Sequence, residues 1–80
     1  MKRYVDVISI TSADGAVTPL WILWSDTLKL QIDRVLDVRP AASLKAGGAG
    51  IRYTIRIRGQ ERYLWKEEER WFVEAKREQK

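Results

Sequence analysis

Ile51-Arg52-Tyr53-Thr54-Ile55-Arg56-Ile57-Arg58 alternates without a break: Ile51, Tyr53, Ile55 and Ile57 on one parity, Arg52, Thr54, Arg56 and Arg58 on the other. A β-strand sends successive side chains to opposite faces, so the stretch makes an apolar stripe backed by a basic one. β-Branched and aromatic residues fill the apolar parity, as a half-buried pleated surface favours. The glycine-rich run Ala46-Gly47-Gly48-Ala49-Gly50 leads into it and Gly59-Gln60 follows. The reading is a central strand of a small all-β domain, apolar side inward and arginines outward.

Strands with turn signals between them extend in both directions. Residues 3–11 form the first, with Val5 and Val7 on one parity and Ile8 and Ile10 on the other. That phase slip implies a bulge or cover on both sides. Asp14-Gly15 marks a turn, and Val17 to Trp24 the second strand, with Pro19 near its start. After Ser25-Asp26-Thr27 a long third strand runs from Leu28 to Arg39, alternating Leu28, Leu30, Ile32, Leu36 and Val38 inward, with Val35 outward. It should bend near Asp33-Arg34, as small barrels require at their corners. Pro40 is expected to end its pairing, and 41–50 to form a flexible Gly/Ala-rich loop.

Glu61 to Lys66 and Arg70 to Ala75 supply the fifth and sixth strands, with a frayed tail at 76–80. A short C-terminal helix from Glu67 competes, because Glu67-Glu68-Glu69 and the last six residues are helix formers. The β-rich Trp71-Phe72-Val73 favours the strand. The expectation is one domain over 1–80: a strongly bent antiparallel sheet or SH3-like barrel of five to six strands.

The run from Arg39 through Pro40-Ala41-Ala42-Ser43-Leu44-Lys45 and the glycines to Ile51-Arg52-Tyr53-Thr54, with Trp71-Phe72-Val73-Glu74, resembles a group of small uncharacterised bacterial proteins. The resemblance implies a stand-alone bacterial domain and carries no activity, ligand or partner.

At 80 residues, the chain buries only roughly 60% of its unfolded surface, so its core must be aromatic or assisted. It has no cysteine for disulfides and no histidine, the commonest zinc ligand beside cysteine. Four tryptophans, three tyrosines and a phenylalanine carry the burial instead. Self-association is the other available support. Neither a signal peptide nor an apolar span of membrane length is apparent, so the default location is the cytoplasm. Fifteen basic residues face eleven acidic ones, and most of the excess lies after residue 50. The balance tilts towards an anionic partner.

Arg52, Arg56 and Arg58, with Arg62 and Lys66 on the next strand, are the candidate anion or nucleic-acid contacts. Trp21, Tyr63 and Trp65 are the candidate stacking or protein contacts. Small barrels that hold single strands join cations to aromatic faces, because phosphates need charge and bases need π-surfaces. The plainer reading is a solvated strand face that discourages edge pairing, with Glu61, Glu67 and Glu69 as partners. A self-associating or protein-binding domain is the other function class, resting on the two-sided apolar second strand. The glycine run lacks the Lys-Ser or Lys-Thr of a nucleotide loop, and it opens a strand where a dinucleotide fingerprint opens a helix. Asp33 and Asp37 lie ~13 Å apart on a strand, too far to share an ion. Without histidine or cysteine, no catalytic constellation stands out; a non-enzyme without metal or cofactor is expected.

Overall fold

The structure, a computed structural model, describes residues 1–43 and 48–75. These form seven strands and no helix: β1 (Lys2–Thr11), β2 (Val17–Leu23), β3 (Lys29–Gln31), β4 (Arg34–Ser43), β5 (Gly48–Ile57), β6 (Gln60–Glu67) and β7 (Arg70–Glu74). All neighbours pair antiparallel in the order β3-β2-β1-β7-β6-β5-β4, and the sheet curls into a half-barrel. β1 makes this possible by serving two partners. Its first residues pair with β7, and Asp6 onward pair with β2.

The strand expected over 28–39 is two strands, which raises the count to seven. It breaks at Ile32-Asp33, beside the anticipated bend. There Ile32 N donates to Leu20 O at 2.9 Å and Asp33 N to Arg56 O at 2.8 Å, so two residues tie the two ends of the sheet together. Glu67 pairs with Arg70, and the chain turns into β7 where the competing reading placed a helix. Residues 76–80 lie outside the described residues.

Bulges decide which side chains face inward. A register shift between Val35 and Asp37 leaves Leu36 extra, so Val35 packs against the core. Val38, expected inward, is exposed. In β1 the register shifts at Ile8/Ser9, and the extra residue, Leu20, sits on β2. β1 itself keeps its alternation, so Val5 and Val7 pack inward while Ile8 and Ile10, of the opposite parity, stay exposed. Two-residue turns set the later registers. Arg58 and Gly59 both have positive φ (52° and 77°), the twist a tight hairpin needs.

The inner face of β5 is the core. Ile55 is fully buried, and Tyr53, Leu64, Ile22, Ile32 and Trp71 join it. The Tyr53 hydroxyl donates across the half-barrel to Val17 O at 3.0 Å. A second apolar layer lies on the opposite face. Trp65 (2% exposed) stacks on Phe72 (0%) at 5.4 Å between centroids, and Tyr4 meets Phe72 edge-on. The β4–β5 hairpin reaches the end of β7: pairing continues past Pro40 to Ser43↔Gly48, and Ser43 Oγ donates to Glu74 Oε2 at 2.6 Å. The expected loop over 41–50 is thus paired strand at 41–43 and 48–50, while 44–47 lie outside the described residues. Pro40 is tolerated because β4 is an edge strand. Gly50 is required, since a Cβ there would run into the Lys66 carbonyl.

Candidate nucleic-acid interface

The outward parity of β5 carries Arg52, Thr54 and Arg56, and pairing with β4 and β6 decides their neighbours. Arg52 stands opposite Arg39 on β4 and Trp65 on β6; Thr54 opposite Asp37 and Tyr63; Arg56 opposite Arg34 and Glu61. Two arginine–arginine pairs therefore face each other in one ladder. Like charges directly opposite destabilise a sheet, and the compensation here is uneven. Asp37 accepts two bonds from Arg39, at 2.7 and 3.2 Å. That hydrogen bonding holds the Asp37 carboxyl below its usual range, helped by the charges of Arg39 and Arg52. At the other end, neither Arg34 nor Arg56 makes an ion pair among the described residues.

Arg52 is half-buried. Its guanidinium lies 4.5 Å from the Tyr63 ring centroid, and its Nε has no partner among the described residues. Tyr63 is 47% exposed and touches Trp65 edge-on at 5.7 Å. Trp65 itself is buried in the second layer, which removes it as a stacking surface.

The candidate set does not stay together. The Arg58-Gly59 turn pairs Arg56 with Glu61, so Arg62 falls opposite Ile55 and Lys66 opposite Ile51. Both are on the concave parity, away from Arg52 and Arg56. Arg62 donates to Gln60 Oε1 at 2.6 Å, and Lys66 Nζ to Glu68 O. Arg58 is exposed at the turn, where its backbone N–H donates to Asp33 Oδ2. Trp21 lies on the other limb of the sheet opposite Ile8, half-buried beneath Lys29 Nζ at 5.3 Å. Arg34 and Arg39 are the cations that the sequence reading left out. The hairpin register could have shown them, had the bulge at Leu36 been visible.

The concave side holds a groove of about 590 Å³ lined by Val5, Val7, Ser9, Thr11, Lys66 and Trp71, among others. No group of three acidic, His or Cys side chains among the described residues could hold a metal ion. No helix among them is long and apolar enough to cross a membrane. No family model matches the chain, nor does any curated protein or solved structure.

Proposed function

We propose that this chain is a non-enzymatic binding module that takes an anionic partner, nucleic acid foremost, on the outward face of β4, β5 and β6. One observation carries the reading: the facing pairs Arg39↔Arg52 and Arg34↔Arg56 in a single ladder. A purely structural face has reason to alternate charge signs across strands. A face that gathers four arginines around two carboxylates (Asp37 and Glu61) is stabilised by an added anion.

The test is a titration of labelled DNA and RNA oligonucleotides at low and moderate salt. Phosphate neutralisation releases counterions, so affinity should fall steeply as salt rises. Arg34→Gln with Arg56→Gln removes two contacts and should flatten the slope of log affinity against log salt by about 1.4 for a single strand. No binding at tens of micromolar and low salt would remove the reading.

A protein partner or a second copy is the other reading, favoured by Ile8 and Ile10, exposed on the outward face of β1 beside half-buried Trp21. Concentration-dependent sedimentation that Ile10→Lys abolishes would support self-association; a monomer at high concentration would exclude it.

A further inference from the structure

Between the two arginine pairs of β5 the face changes character. Thr54 carries no charge, and its partners are Asp37 on one side and the exposed ring of Tyr63 on the other. Arg52 and Arg56 are four residues apart, which a strand spans in ~13 Å. The order along the strand is therefore cation pair, carboxylate with aromatic ring, cation pair.

Each part of that order selects something. A phosphate is attracted to either end and repelled in the middle, where Asp37 is held ionised by Arg39. The middle offers a π-surface whose orientation is fixed by Arg52 on one side and the edge contact with Trp65. An aromatic plane already paired with a guanidinium is a favourable stacking platform for a nucleobase. A base can reach it only from a strand whose bases are free to splay. In a duplex the bases stay stacked inside the helix, so only backbone and base edges are presented and no base face can lie on the ring.

We infer that the ligand of this face is single-stranded nucleic acid lying along β5, with a phosphate at each arginine pair and one base stacked on Tyr63. The inference rests on the proposed anionic face and specifies its ligand. Arg62 and Lys66 take no part, because the register turns them to the concave side.

The experiment compares four probes by fluorescence anisotropy: a short single-stranded DNA, the matching RNA, an abasic oligomer of equal length, and a duplex. Base-bearing single strands should bind most tightly, in the DNA arm, the RNA arm or both. The abasic oligomer should bind roughly 5- to 150-fold more weakly, the effect of one lost base–aromatic stack. Tyr63→Ala should weaken the base-bearing strand by the same factor and leave the abasic oligomer unchanged, while Tyr63→Phe retains tight binding. Equal binding of abasic and base-bearing oligomers, or preference for the duplex, overturns the inference and leaves the anionic face standing. No binding of any probe at low salt overturns both.

Discussion

The outward face of this sheet has two halves that use the same residue types in opposite ways. Over β1, β7 and β6, each cation has a partner. Lys2 Nζ lies 2.8 Å from Glu67 Oε2 and 4.9 Å from the Phe72 ring centroid. The Tyr4 hydroxyl donates to Glu67 Oε1 at 2.9 Å and accepts from Arg70 at 3.1 Å. Over β4 and β5, arginines face arginines, and Asp37 answers only one of the four with an ion pair. Lys2 and Arg70 lie over aromatic rings beside Glu67 and cap a packed layer. Arg34 and Arg56, by contrast, face each other with no ion pair among the described residues, and Arg52, opposite Arg39, lies over the Tyr63 ring.

If the first half is a packed layer, removing its centre is costly. Phe72→Ala should destabilise the chain by about 3–5 kcal/mol in urea melts, a large part of what so small a domain has. A cost below ~1 kcal/mol would make this layer ordinary surface and erase the contrast.

Acid should act next most strongly. Hydrogen bonds from Lys2 and then Tyr4, with the charges of Lys2 and Arg70, hold the Glu67 carboxyl below its ordinary range. Its folded pKa is thus lower than its unfolded one. The resulting stability is present above the unfolded value of about 4.3 and is lost as pH falls through the folded value. Asp37 and Asp14, also lowered, act in the same direction. Urea melts between pH 7 and 3 should show the loss, and Glu67→Gln should reduce it without abolishing it. An unchanged acid profile in Glu67→Gln would mean the Lys2–Tyr4–Glu67 cluster does not hold in solution.

The inner side of the sheet was legible in the sequence and the outer side largely was not, for identifiable reasons. Tyr53 and Ile55 announce themselves because a period of two is visible within one strand, and both are buried as read. Ile51, of the same parity, lies at the rim and stays exposed. The outer aromatic layer joins Tyr4, Trp65 and Phe72 from three strands, and the hairpin arm beyond Pro40 was as hard to read. Its alanines and glycines read as loop because an edge proline and small residues mark a loop as readily as a close-packed strand. Gly50 is small because the Lys66 backbone is near, a fact no local pattern carries. The outward arginines are only half legible. Arg52 and Arg56 follow from alternation alone, whereas Arg34 and Arg39 need the register across the bulge at Leu36. Arg62 and Lys66 were misplaced by parity, although the two-residue turn at Arg58-Gly59 contained the correction.

The smallest expected effect gives the sharpest test. Arg34 is exposed on an edge strand, directly opposite Arg56, and threonine suits a strand. Arg34→Thr removes one like-charge pair, so stability by urea melt should stay level or rise by ~0.2–1 kcal/mol. On the same samples, affinity for a short single-stranded oligonucleotide should fall, with a salt slope flatter by about 0.7. Rising stability with falling affinity is what a binding cation predicts. Lost stability with unchanged affinity would contradict the account, and Arg34 would then be holding the sheet together.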